Sequence, residues 1–388
     1  MPAMTLPSLS RRLGGIAPFH VMEYVKQARA LEAAGRDIIH MSIGEPDFKA
    51  LPAVEAALGR AVQAGHTGYT PALGIAELRQ AIADFQSTVF GYPVDASRVM
   101  VTAGASVALT LICLALLDPG DEVLLPDPSY PCNSNFVRAA GGVPRLIVAG
   151  PEQRFQLSAD LIRANWTPRC KAVMLASPSN PTGTSLTPDA LREVAETVRE
   201  LGGTLILDEI YLGLRYDGVR LSGAALGDNV VLVNSFSKYF AMTGWRLGWL
   251  VLPPAWVSEL ERLAGNLLIC PSGPAQHAAL ACFTAEAIAE YEQRREAFRQ
   301  RRDFLVPALE SLGFKVPVHP DGAFYVYADG SAHGTAEAVA QRMLQEAGVC
   351  AVPGLDFGPA WADRYLRFSY ATSLSRLQEA VQRLQAVL

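Results

Sequence analysis

The sequence predicts an α/β protein in which a parallel or mixed sheet is wrapped by helices. Three observations carry that expectation. Short apolar runs ending in turn or polar residues recur along the chain, helical patterns fall between them, and one intervening segment carries both start and stop signals for a helix. The runs are Glu122–Leu125, Ala172–Ala176, Leu205–Leu207 and Val230–Val233. Between the second and third, Thr187 and Pro188 form an N-cap and first-turn pair. A threonine hydroxyl can accept from a free helix N–H, and a proline has none to leave unsatisfied. Leu191, Val194, Ala195, Val198 and Leu201 then recur at helical spacing until Gly202 stops them. Strand, helix and strand in that order make a βαβ crossover.

The chain has 388 residues, is 50% hydrophobic and 18% charged, and is long enough to bury a large core and to form more than one domain. Its net charge of -5 gives no long-range attraction for phosphate backbones, and no Lys/Arg run forms a basic stripe, so nucleic acid is not an expected partner. Met1–Gly15 lacks the charged and apolar regions of a secretory signal, and no apolar run has the length of a membrane span. A cytoplasmic enzyme without a membrane partner is expected. The six cysteines, Cys113, Cys132, Cys170, Cys270, Cys282 and Cys350, include no C-x-x-C pair, which argues against a disulfide framework and a zinc site. No metal is expected. Domain boundaries are weakly marked, and the charged helical stretch Glu286–Arg302 is the candidate for carrying the chain into a second domain.

In open α/β sheets ligands sit outside the carboxyl ends of the strands, so polar residues following apolar runs come first. Asp208 follows Thr204–Leu207 and precedes Glu209-Ile210-Tyr211. An acid there is costly unless a cation or donors meet it, and a protonated pyridine nitrogen is one such cation; an N-cap or a structural salt bridge is the other reading. Asn180 follows Ala172–Ala176 in Ser177-Pro178-Ser179-Asn180-Pro181-Thr182-Gly183. That segment is a turn by composition, and a Pro-fixed turn can also present the amide to a ligand oxygen. Lys238 lies just beyond Val230–Val233, in Ser235-Phe236-Ser237-Lys238, with Arg246 following in Thr243-Gly244-Trp245-Arg246. A lysine forms Schiff bases only when neutral, which a buried strand end favours. Ser235 and Arg246 flank it with a hydroxyl and a guanidinium fork suited to a phosphate. A solvated loop lysine is the plainer alternative.

A fourth element, Val101-Thr102-Ala103-Gly104-Ala105-Ser106, leads into the apolar helical pattern Val107–Leu117. Small residues at a helix entrance leave its first N–H groups free for an anion, or serve only packing. The chain has no P-loop and no G-x-G-x-x-G fingerprint.

Taken together, the sequence resembles the class I/II aminotransferases of pyridoxal-phosphate (PLP) fold type I, the aspartate aminotransferase superfamily. The resemblance runs from Ser42-Ile43-Gly44-Glu45-Pro46-Asp47-Phe48 through Gly68-Tyr69-Thr70-Pro71, Asp127-Pro128-Ser129-Tyr130-Pro131, the Asn-Pro-Thr-Gly turn, Asp208-Glu209-Ile210-Tyr211, the Ser-x-x-Lys segment and Pro320-Asp321-Gly322-Ala323-Phe324-Tyr325, to Arg367-Phe368-Ser369-Tyr370-Ala371. It implies a three-layer αβα large domain over residues 45–285 with a mostly parallel seven-stranded sheet. A smaller α+β domain built from both chain ends, 1–44 with 286–388, would close over substrate.

The resemblance also implies roles. Lys238 holds PLP as a Schiff base and, once displaced, moves the substrate α-proton as general acid/base. Asp208 pairs with the pyridine nitrogen, Asn180 and Tyr211 bond the ring oxygen, and Tyr130 stacks on the ring. Ser235, Arg246 and the N–H groups near Ala105 and Ser106 hold the phosphate, joined by Tyr69 from a neighbouring subunit of a homodimer with shared active sites. Arg367 clamps the substrate carboxylate, with Asn180 beside it and Gly44 leaving room. The implied activity is transfer of an amino group from an L-amino acid to a 2-oxo acid.

A C–S lyase, decarboxylase or synthase of the same fold would use the same Lys, Asp and Arg. A regulator with an aminotransferase-like domain is expected to carry an N-terminal DNA-binding domain, for which this sequence leaves no room. In the dicarboxylate-specific branch an Arg precedes the Pro-rich turn, whereas Asn266-Leu267-Leu268-Ile269-Cys270-Pro271 has none. Neutral or aromatic donors, with 2-oxoglutarate or pyruvate as acceptor, are therefore expected.

Overall fold

Each predicted apolar run is a strand in the computed structural model, which describes residues 8–16 and 18–388. Residues 1–7, which include the start of the segment tested for a secretory signal and of the expected small domain, lie outside the described residues. The strands are β1 (Ile39–His40), β2 (Val99–Thr102), β3 (Glu122–Asp127), β4 (Val143–Val148), β5 (Cys170–Ala176), β6 (Thr204–Asp208), β7 (Val230–Ser235), β8 (Gly248–Val251), β9 (Tyr325–Asp329), β10 (Val349–Cys350), β11 (Val352–Pro353) and β12 (Tyr365–Ser369). Seven form the main sheet in the order β2-β8-β7-β6-β5-β3-β4. β8 pairs antiparallel with both neighbours, and every other pair is parallel.

Alternation along the strands builds the layers. Ala172 and Met174 of β5, with Ile206 of β6, face a core shared with the helices Ala105–Leu116 and Val257–Leu267. Val173, Leu175, Leu205 and Leu207 face the opposite core, shared with the helix Pro188–Glu200. That helix has the predicted start: Thr187 Oγ1 accepts from the Ala190 N–H at 3.3 Å and Pro188 opens the first turn. It stops before Gly202, whose φ of +73° is a left-handed conformation that a side chain would strain. Leu191, Val194 and Val198 are buried, each worth about 1.5–3 kcal/mol. A charge at Val194 would break this layer.

Outside the main sheet, β11, β12 and β9 form an antiparallel sheet in that order, and β1 pairs in parallel with β10. The pairing of β1 with β10 brings the two ends of the chain together. The helix Ala285–Ser311, longer than the predicted charged stretch, leads from the main sheet towards β9. Among the described residues, no helix is long and apolar enough to cross a membrane. All six cysteines are free.

Candidate active site

The order β7-β6-β5-β3, all parallel, puts four carboxyl ends on one edge of the sheet, and β2 points the same way. From β3 the chain runs to Tyr130, from β5 to Asn180, from β6 through Asp208 to Tyr211, and from β7 to Lys238. From β2 it runs into the helix starting at Ala105. The crevice outside those ends is where an open α/β sheet binds its ligand.

The Lys238 amine donates to the Gly44 carbonyl oxygen and makes no ion pair with any described residue. Removal from solvent pushes its pKa down to about 8; Glu45 and Asp208 pull it up, and Arg367 and Arg246 press it further down. Asp208 is 8% exposed, and its Oδ1 accepts from the Ile210 N–H at 3.0 Å. Burial lifts its carboxyl to about 6, and no Lys, Arg or His among the described residues stands within ion-pair distance. A buried carboxylate with so few partners fits a cation supplied from outside the chain, such as a pyridinium nitrogen.

Arg367, on β12, is 3% exposed. Its Nη1 donates to Asn180 Oδ1 at 2.8 Å and its Nη2 to the Ser42 carbonyl at 2.7 Å, while Nε has no partner. No carboxylate of a described residue pairs with it. A buried guanidinium left in this state calls for an anion. Its carbon lies 4.5 Å from the Tyr325 ring centroid and 5.0 Å from that of Phe357. Asn180, just beyond the carboxyl end of β5, is thereby tied to Arg367. Gly44 has a second reason to be glycine: a Cβ there would come within 3.0 Å of the Tyr325 hydroxyl.

At the other end of the crevice, Gly104 starts the helix Ala105–Leu116 with no side-chain cap, so its first N–H groups stay open to an anion. Gly104 has a φ of +88°, and a Cβ on it would lie 2.6 Å from Arg246 Nη2. Arg246 Nη1 donates to the Thr243 carbonyl at 2.9 Å, which aims the rest of its fork along this helix entrance. The Ser235 hydroxyl donates to the Leu247 carbonyl at 3.0 Å and meets Ser237 Oγ at 2.9 Å. Helix donors, hydroxyls and a guanidinium converge as a phosphate requires.

Burial raises the pKa of Tyr130, neighbouring Cys132 adds to the rise, and Tyr325 and Asp208 are close enough for their charges to contribute. Tyr69 is not brought to this crevice; it is 85% exposed. Ser237 and Tyr325 belong to the Ser-x-x-Lys segment and the Pro320–Tyr325 motif, yet neither residue has a local sequence signal that marks a role.

Only the neutral amine can condense with an aldehyde, so its availability grows as pH rises towards the lowered pKa near 8. The rate at which cofactor-free protein captures PLP, followed by near-visible absorbance, is expected to rise about tenfold per pH unit below that value and to level off above it. An inflection near the ordinary lysine value would show that burial does not depress this amine.

Comparison with known proteins agrees with this geometry. The family model for aminotransferase class I and II matches residues 36–384. The chain is 38% identical over 374 residues to the valine–pyruvate aminotransferase of Mycobacterium tuberculosis, covering 95% of this chain and 96% of the relative. It is 37% identical over 383 residues to the aspartate/prephenate aminotransferase of Thermus thermophilus, covering 98% of each. The solved aspartate aminotransferase from Thermus thermophilus with maleate superposes with a TM-score of 0.92 at 37% identity, over 99% of this chain and 100% of that one. A sheet of this order, with its open polar groups along one edge, is the framework of a PLP-dependent enzyme. The chain belongs to the class I and II aminotransferases, and it acts as a PLP-dependent aminotransferase on amino acids and 2-oxo acids.

Proposed function

We propose that the crevice along β3, β5, β6 and β7 is the active site, and that it serves donors with neutral or aromatic side chains. The observation that carries the site is Arg367, buried with its Nε unpartnered and no carboxylate beside it, facing the same crevice as Lys238. When bound, PLP supplies the electron sink that lets the substrate α-proton leave.

The chain's own residues do the rest. Lys238 holds the cofactor by its amine and then carries the α-proton on Nζ, for which a pKa near 8 suits work close to neutrality. Asp208 keeps the pyridine nitrogen protonated. Asn180 and Tyr211 bond the ring oxygen, and Tyr130 covers the ring face. Ser235, Arg246 and the N–H groups at Ala105 and Ser106 hold the phosphate. Arg367 takes the substrate carboxylate in a bidentate pair, with Asn180 fixing its plane.

The side-chain preference rests on residues 266–271. Leu267, Leu268 and Ile269 are exposed apolar residues with no arginine among them. They adjoin the Tyr69 loop, where the Thr70 N–H donates to Cys270 Sγ at 3.4 Å and Gln276 Nε2 donates to Thr70 Oγ1 at 3.0 Å. Solvent-exposed Tyr69 beside an apolar ridge fits a surface covered by a second copy, whose crevice Tyr69 and the ridge would complete. We infer a homodimer with shared sites. We further assign 45–285 as the large domain and 1–44 with 286–388 as the small one. Small-angle scattering tests both: a dimer mass is expected, with compaction on adding a 2-oxo acid, and a monomer that never compacts rejects them. Six free cysteines fit the reducing cytoplasm, where cell fractionation should find the protein.

Mixing the PLP-loaded protein with single amino acids tests the activity. Bleaching of the near-visible absorbance with release of the matching 2-oxo acid is expected, faster for valine, leucine or phenylalanine than for aspartate. Strong preference for aspartate overturns the side-chain reading. Carbon dioxide or thiol release without bleaching would place the chain among the lyases of this fold.

A further inference from the structure

Tyr325 is the one polar side chain on β9 that touches both halves of the crevice. It is fully buried, and its hydroxyl lies 3.0 Å from that of Tyr211. Its ring carries the Arg367 guanidinium 4.5 Å from the centroid. Between two phenols only one proton lies on the shared line, so one is donor and the other acceptor. The groups facing the pair favour Tyr325 as the donor. Of the two phenol rings, Arg367 sits over that of Tyr325, where it stabilises negative charge most directly; Tyr211, which Arg367 also reaches, faces Asp208 as well, and the Lys238 amine stands 5.9 Å from its centroid. The hydroxyl of Tyr130 is the remaining titratable neighbour of Tyr325.

We propose that Tyr325 is a positioning residue that donates its proton to Tyr211 and so relays the occupancy of Arg367 to the cofactor's ring oxygen. This rests on the site assignment above. With Tyr325 as donor, the Tyr211 hydroxyl keeps its own proton for a third oxygen, and the donation is strengthened because its lone pair is already engaged. A cation held over the Tyr325 ring makes that phenol a better donor. A substrate carboxylate neutralises the cation, weakens both bonds in turn, and leaves the cofactor more basic when the substrate has arrived. The direct Arg367–Asn180 bond is a separate line between the same two ends. Tyr325 adds to it a path through a π face and two hydroxyls.

The test is the pH titration of the near-visible absorbance of PLP-loaded protein, with and without saturating 3-phenylpropanoate, a carboxylate that cannot donate an amino group. Tyr325→Phe keeps the ring under Arg367 and removes only the hydroxyl. Its ligand-free midpoint is expected to rise by roughly a few tenths of a pH unit, because the Tyr211 bond stays and loses only its cooperative strengthening, and the further rise caused by 3-phenylpropanoate should shrink. Placing 3-fluorotyrosine at position 325 makes the phenol more acidic without changing its shape, and the midpoint should then fall. Opposite movements in the two variants are not produced by a purely structural role, and the fluorinated protein keeps the test alive if Tyr325→Phe folds poorly. A Tyr325→Phe midpoint that stays put or falls, while Tyr211→Phe raises it, overturns the relay. A wild-type protein that shows no near-visible band at all would instead overturn the site assignment.

Discussion

Changing Lys238 to alanine is expected to remove the near-visible absorbance of the PLP-loaded protein and to lower kcat by about five orders of magnitude or more. The magnitude follows from two losses at one atom. A positioned general acid/base contributes about 10²–10⁴, and the covalent hold on the cofactor, with the orientation it imposes, accounts for the rest. The groups around Nζ offer no substitute. Gly44 presents a carbonyl, Asp208 is committed to the Ile210 N–H, and the tyrosines have pKa values raised by burial. Single-turnover kinetics with a good donor would check this. Persistence of both the absorbance and the turnover in Lys238→Ala would remove the foundation of the functional assignment.

The legible parts of this protein were those where one physical requirement acts on consecutive residues. β5, β6 and β7 are buried on both faces, so Ala172–Ala176, Leu205–Leu207 and Val230–Val233 are apolar without interruption and are visible as strands. Their polar successors, Asp208, Asn180 and Lys238, were visible for the same reason. β1, β10 and β11 have two residues each, too few to show a period, and the reversal of β8 depends on the turn at residues 243–246 and its Arg246 at a φ of +55°. The seven-stranded count came from the family resemblance, and the sheet has it.

Contacts between distant segments were the least legible. Tyr211 and Tyr325 meet across 114 positions, and Arg367 reaches Asn180 across 187. Nothing local to any of them encodes the partner. Gly44 shows the consequence: space for a carboxylate was the expected reason for glycine, and the structure adds the Tyr325 hydroxyl as the group a side chain would strike. Tyr69 shows the converse: it is exposed, and the role proposed for it in a second copy's site would leave it no partner within its own chain to reveal it.

Arg367→Ala should be the next most damaging change, and its signature should differ from that of Lys238→Ala. A bidentate guanidinium–carboxylate pair is two charge-assisted hydrogen bonds of about 1.5–3 kcal/mol each, or roughly 3–6 kcal/mol together. At about 1.4 kcal/mol per factor of ten, kcat/KM should fall by roughly 10²–10⁴. Much of that should appear in KM, because the carboxylate stays bound from substrate to product and the pair is present in both ground and transition states. PLP capture and the near-visible absorbance should survive, since Arg367 meets neither Asp208 nor the helix entrance at Ala105. Asn180 would lose its partner at 2.8 Å, and the Tyr325 ring its cation, so the absorbance midpoint should also move. Arg367→Lys should recover only part of the loss, because an ammonium cannot make the planar two-point contact or span Asn180 and the Ser42 carbonyl together. Steady-state kinetics with phenylalanine and with phenethylamine, which lacks the carboxylate, isolates the effect. The variant should lose its preference for the amino acid over the amine, and an unchanged preference would mean that Arg367 does not hold the carboxylate.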